Sequence, residues 1–120
     1  MLSLESRDWF DVRLLKLSGV TRLDFERVRA FSAEFRTKTA DVRWVVLDLT
    51  DVATLDSSAL GALVRFHLKL DRKQGGLRLA GVSDGLRSLL QITRLEAAFP
   101  IYPGVEEALE SFLGKKPTAS

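Results

Sequence analysis

Asp56-Ser57-Ser58 stands where a β-favouring run gives way to an apolar helical one, and a serine pair beside a carboxylate could do chemistry there. A serine nucleophile needs a base within hydrogen-bond reach and donors for an oxyanion. The chain has a single histidine, His67, which falls nearly three turns along the expected helix and cannot fold back onto Ser57. "LDSSALG" also lacks the flanking glycines of a Gly-x-Ser-x-Gly elbow, since Leu55 and Ala59 occupy those places. These residues speak against a serine hydrolase and against an enzyme generally.

Metal and nucleotide chemistry find less support still. With no cysteine and one histidine, only Asp48, Asp51 and Asp56 could gather around a cation, and aspartates at a strand-to-loop junction ordinarily serve turns and caps. No glycine-rich stretch ends in Lys-Ser/Thr, so no phosphate cradle is visible; Gly75-Gly76 follows a helical run and reads as its stop. Neither a metal nor a cofactor is expected. Two readings of the serine pair remain: a helix cap, which a strand-to-helix junction needs, or a site where the protein is itself modified.

The elements that position the pair follow from hydrophobic spacing. "LSLES" and "VRLLKL" read as a hairpin through the turn "RDWFD", with Val12, Leu14 and Leu17 toward a core and Gly19 at its end. Thr21 and Asp24 resemble a capping box, and Val28, Phe31 and Phe35 then recur at helical spacing, which predicts a helix over 22–37. "WVVLDLT" is a nearly continuous β run, as a strand buried on both faces requires. Leu60, Leu63, Val64 and Leu68 mark the helix after the serines. "LRLAG" is a further strand, Ser83-Asp84 opens a helix with Leu86, Leu89 and Leu90 inward, and "AFPIYP" is an edge strand because of Pro100. "GVEEALESF" closes the chain with Val105, Leu109 and Phe112 on one face. Strands alternating with helices predict an α/β fold: a mixed, mostly parallel sheet of four to five strands with about four helices, entered through an antiparallel N-terminal hairpin.

The bounds are consistent with that architecture. A chain of 120 residues suits one domain, expected over 1–114, with 115–120 as a flexible tail. Apolar residues make up 46% and charged residues 28%, a globular balance. The net charge is +2 without a basic block, so nucleic-acid binding is not expected. The start has no leader pattern and no stretch approaches a membrane span, which points to a cytoplasmic protein without membrane insertion.

From the "VVLDLT" strand through "DSSALGALVRFHLKL", Gly75-Gly76 and on to "VEEALESF", the chain resembles the STAS domain of anti-sigma-factor antagonists. The resemblance covers roughly Val12 to Phe112 and is strongest around Asp56-Ser57-Ser58. It implies partner switching. The first serine of the family's Asp-Ser-Ser/Thr-Gly motif, matched by Ser57, is the phosphorylation acceptor of a kinase that is also the anti-sigma factor; the unphosphorylated form binds that kinase, and a phosphatase resets it. The alternative within the family is a scaffold subunit of a signalling or transport assembly that is never phosphorylated. The implied partner surface comprises Asp56, Ser58, Ala59, Arg22 and Thr21. Ala59 replaces the motif's glycine, so its methyl would crowd a closely approaching partner. Arg22 puts a base where many members carry an acid.

Overall fold

Val45, Val46 and Leu47 occupy the middle of a five-stranded sheet in this computed structural model, which describes residues 1–113. Their strand is one of β1 (Ser3–Trp9), β2 (Val12–Ser18), β3 (Arg22–Leu23), β4 (Trp44–Asp48), β5 (Thr54–Leu55), β6 (Gly76–Ala80) and β7 (Ile101–Tyr102). The helices are α1 (Val28–Thr39), α2 (Ser57–Arg72), α3 (Asp84–Ile92) and α4 (Val105–Ser111), with a 3-10 turn at Leu95–Ala97. The sheet runs β1-β2-β4-β6-β7, with β1 antiparallel to β2 and every other neighbouring pair parallel. This is the mixed α/β architecture expected from the alternation of patterns. The expected tail at 115–120, and the last residue of the expected domain, lie outside the described residues.

All five residues of β4 are buried, because both faces of the sheet are covered. On one face Leu15, Leu17, Val45, Leu47, Leu77 and Leu79 meet Phe31 and Phe35 of α1, Leu63 and Phe66 of α2, and Leu86 and Leu90 of α3. On the other, Val12, Trp44, Val46 and Ala80 pack against Ala108, Leu109 and Phe112 around α4. Phe35 and Phe66 stack at 4.2 Å between ring centres and join α1 to α2. Buried parallel strands of this kind lack the in-out alternation of a solvated sheet.

Several local expectations are corrected. The hairpin turn is not Arg7–Asp11: β1 continues to Trp9, which pairs with Val12, and Phe10-Asp11 alone make the reversal, with Phe10 at φ 56°. Leu15 joins Leu17 in the core, since the two share the face of β2 that meets α1 and α2, while Leu14 on the other face is only half-buried. Residues 22–27 are not helical. Arg22–Leu23 instead pairs in parallel with Thr54–Leu55, and α1 begins at Val28. No Thr21 capping box forms: the Thr21 carbonyl accepts the N–H groups of Ala53 (2.7 Å) and Thr54 (3.3 Å), while Asp24 accepts from Arg27 N–H. The long-range pairing of backbone groups outweighs a local cap here. On α2, Phe66 is buried and Leu68 is 47% exposed, the reverse of what the apolar stripe suggested for Leu68.

Gly75 matters for closeness rather than for a left-handed turn. After α2 the left-handed residue is Gln74 (φ 64°), and Gly75 lies so near the Arg43 carbonyl that a Cβ would overlap it. Gly76 then donates its N–H to that carbonyl at 2.8 Å and begins β6. Gly85 in α3 has open space around its Cα. Urea unfolding should separate the two: Gly75→Ala should lose more than about 1 kcal/mol because backbone must move, whereas Gly85→Ala should gain up to about 0.5–1 kcal/mol of helix propensity.

Candidate binding and modification site

β4 ends at Asp48, and the chain then passes through β5 into α2, whose first residue is Ser57. The β3–β5 pair brings a second segment to the same place, with Arg22 opposite Thr54 and Leu23 opposite Leu55. Two stretches more than thirty residues apart in sequence thus form one surface. Asp56 fastens them together. Its backbone is extended (φ −96°, ψ −178°), the conformation an N-cap requires. One carboxylate oxygen, Oδ1, accepts the Ala59 N–H at 3.0 Å and the Ser58 hydroxyl; the other, Oδ2, accepts the Phe25 N–H at 2.8 Å. The Asp56 N–H in turn donates to the Leu23 carbonyl at 3.2 Å.

This arrangement makes the two serines inequivalent. The Ser58 hydroxyl is spent on Asp56, and Ser58 is half-buried. Ser57 is exposed at the first helical position, and its hydroxyl makes no hydrogen bond among the described residues. Its Oγ is therefore free to react with an external agent but has no internal activator. Asp56 is a poor base: the Ser58 hydroxyl first, then the Ala59 N–H, stabilise its ionised form and hold its carboxyl below the ordinary value of 3.8.

The other chemically capable residues do not converge on Ser57. Asp48 is buried and its Oδ1 accepts from Thr50 N–H at 3.0 Å, closing a turn. Asp51 faces Lys16 at 3.9 Å. His67 is half-buried on α2 with its ring edge-on to Phe99 at 5.8 Å, and its Nδ1 is buried without a partner. Among the described residues, no three His, Cys, Asp or Glu side chains cluster as a metal site would require.

Of the expected surface residues, Thr21 and Arg22 are exposed on the segment that carries β3, with Asp56 and Ser58 half-buried beside Ser57. Ala59 is a correction. Its exposure is 0% and its methyl belongs to the core, so it cannot crowd a partner. Sequence reasoning also missed Phe25, which is 77% exposed although its N–H is anchored on Asp56. It lies three residues before Val28, inside the span expected to be helical, so the pattern singled it out for no surface role. Only the failure of the helix to reach residue 25 turns it out. Beside Arg22, a hollow of about 500 Å³ lined by Gly19, Val20, Arg27 and Asp51 indents the same end of the sheet.

A family model described as the STAS domain matches residues 11–108. A Thermotoga neapolitana protein named as an anti-sigma factor antagonist homolog is 31% identical over 71 residues, which span 59% of this chain and 63% of that protein, less than two thirds of its length. The solved structure of an anti-sigma-factor antagonist (STAS) domain protein from Planctomyces limnophilus superposes with a TM-score of 0.83 at 25% identity, covering 92% of this chain and 98% of that one. The Bacillus cell fate determinant SpoIIAA, solved in its phosphorylated form, superposes at 0.68 with 21% identity over 93% of this chain and 99% of that one. Among the described residues no helix is long and apolar enough to cross a membrane.

The Asp56 bonds set a pH dependence whose sign is fixed. A carboxyl whose folded pKa is depressed stabilises the fold above its unfolded value of 3.8, and this contribution disappears as pH falls through the lower folded value. Asp56→Asn keeps a capping oxygen but cannot accept on both sides. Its melting temperature should lie below wild type at neutral pH, and the gap should close on acidification below 3.8; a gap independent of pH would show that the charge contributes nothing.

Proposed function

The chain belongs to the STAS-domain family, and from that premise we propose that it is a phosphorylation-switchable protein-binding module of the anti-sigma-factor antagonist type. In the unphosphorylated form it binds an anti-sigma factor that is also a serine kinase. Ser57 is the acceptor and a phosphatase restores it. One observation carries this reading: of two adjacent serines at the helix start, Ser57 has a free, exposed hydroxyl while that of Ser58 is held by Asp56. The similarity of fold to a relative solved in phosphorylated form supports it.

Physical chemistry makes such a switch workable without internal rearrangement. A phosphoserine carries about −1.5 to −2 charges, and at the first turn of α2 the positive end of the helix dipole offsets part of that cost. The core beneath, from Ala59 inward, is untouched. The surface changes strongly, because the new charge sits beside the Asp56 carboxylate and near exposed Phe25. An uncharged contact anchored by an aromatic side chain becomes repulsive and hydrated. Arg22 and Thr21 flank this contact and shape partner choice.

Incubation with the cognate kinase, followed by intact-mass measurement, should show one phosphate on wild type and on Ser58→Ala, and none on Ser57→Ala. No phosphate on wild type would instead favour the constitutive scaffold. Titration calorimetry provides the binding test. Ser57→Asp should weaken partner affinity at least tenfold, about 1.4 kcal/mol, while stability changes by less than about 1 kcal/mol. Phe25→Ala should weaken affinity by about 1–2 kcal/mol with little loss of stability, since the ring is exposed in the free protein.

A further inference from the structure

Five Lys and Arg side chains gather in one groove of this molecule, away from Ser57. Overall the chain carries 18 Lys and Arg against 16 Asp and Glu, close to balance. Yet the groove between α1 and α2 is lined by Arg36, Arg65, Lys69 and Arg72, and by Lys73, whose ammonium donates to the carbonyls of Thr39, Ala40 and Val42, with no carboxylate among its lining residues. It consists of two adjoining hollows of about 290 and 240 Å³, which share Arg36, Phe66 and Lys69. Ser32 on the α1 side and Ala40 just beyond its end are small, which leaves the space open, and the floor is formed by Phe35 and Phe66.

Arg65, Lys69 and Arg72 recur at i, i+4 and i+7, so like charges repel along one stripe of α2. Among the described residues none of them, nor Arg36, forms an ion pair. Lys69, Arg72 and Arg36 lie in the last turns of their helices, where cations complement the helix dipole. Arg65 lies mid-helix, and the dipole does not explain why all four point to one groove. Leu68, 47% exposed, stands on the same rim and adds an apolar contact that solvation alone would not favour.

We propose that this groove is a second docking surface, which takes an acidic amphipathic helix of a partner protein. The groove's charge selects glutamates and aspartates, and Leu68 together with the aliphatic stems of the lining Arg and Lys side chains selects an interleaved hydrophobic stripe. The observations favour this occupant over others. A nucleic acid would want exposed rings to stack on, whereas Phe35 and Phe66 are buried. A membrane surface suits a convex face with inserting apolar side chains, and this surface is concave with Leu68 alone exposed. A second copy could offer Glu106, Glu107 and Glu110 of α4, but that helix has only seven residues, about two turns, too short to run the length of both hollows. The groove begins about 12 Å along α2 from Ser57, so the two surfaces can be occupied independently.

The test uses the whole chain and a fluorescently labelled amphipathic peptide of Glu, Leu and Ala about four turns long, with a Lys-for-Glu peptide, phosphatidylglycerol vesicles and a single-stranded RNA oligonucleotide as competing probes. Anisotropy should show saturable binding of the acidic peptide, weakened by salt, and amide shifts should map it to α1 and α2. Arg65→Glu with Lys69→Glu should weaken binding at least tenfold. The neutral pair Arg65→Gln with Lys69→Gln should lose less and melt as wild type does, which separates charge from misfolding. Absence of acidic-peptide binding overturns the proposal. So does tighter binding of the Lys peptide, the vesicles or the RNA, wild-type affinity in the charge-reversed protein, or salt-sensitive self-association by sedimentation that would put a second copy in the groove.

Discussion

Burial of β4 on both faces is the constraint from which the architecture follows. A strand with no solvated face must have its backbone groups paired on both edges, and β2 and β6 do this in parallel. Parallel neighbours demand crossover connections, and the crossover helices α1, α2 and α3 bury one face while the C-terminal α4 buries the other. The requirement also decides polarity. Both parallel crossovers leave the chain at the same end of the sheet, so the turn after β4 and the start of α2 emerge where the β3 segment can meet them. The proposed binding surface lies at that end as a consequence of topology before it is a matter of particular side chains.

Asp56 converts that meeting into a defined surface. Its two oxygens face different segments, one satisfying the first turn of α2 and the other the Phe25 amide. A capping residue ordinarily serves its own helix alone. Here the same carboxylate also fixes where an exposed aromatic ring stands relative to a free hydroxyl. The reading of the site as a switch relies on this arrangement: a charge added at Ser57 changes a surface already held in place, so no bistable element inside the fold is required. The division of labour between the serines has the same origin, since Asp56 engages one and leaves the other.

The molecule consequently carries two chemically different faces on one helix. The start of α2, with Phe25 of the β3 segment fastened beside it, combines a hydroxyl, a carboxylate and a phenyl ring, the proposed contact that phosphate would disrupt. Its second half is a cationic stripe facing α1, suited to a contact that acids would strengthen. A module with separately addressed ends can hold one partner while releasing another, which a single-site switch cannot do.

The residue pattern alone determined the alternation of strands and helices, the identity of the central strand, the cap at Asp56 and the place of Ser57 at a helix start. Each is a local property: β4 is a continuous apolar run, and capping needs only an oxygen at the right backbone position. Tertiary structure decided what no local pattern encodes. Residues 22–27 have acceptable helix-start chemistry, yet Thr21 and Arg22–Leu23 are drawn into pairing with 53–55, because long-range backbone bonds and the burial of Leu23 and Leu55 outweigh a cap. That one competition turns Phe25 outward. Ala59 and Leu68 show the same limit from the side of packing: an alanine at a motif position is core because α2 lies against the sheet there, and a leucine on the apolar stripe is exposed because α2 turns Leu63, Phe66 and Leu70 to its neighbours instead. Which face of a helix is covered depends on its neighbours, and neighbours are a property of the fold.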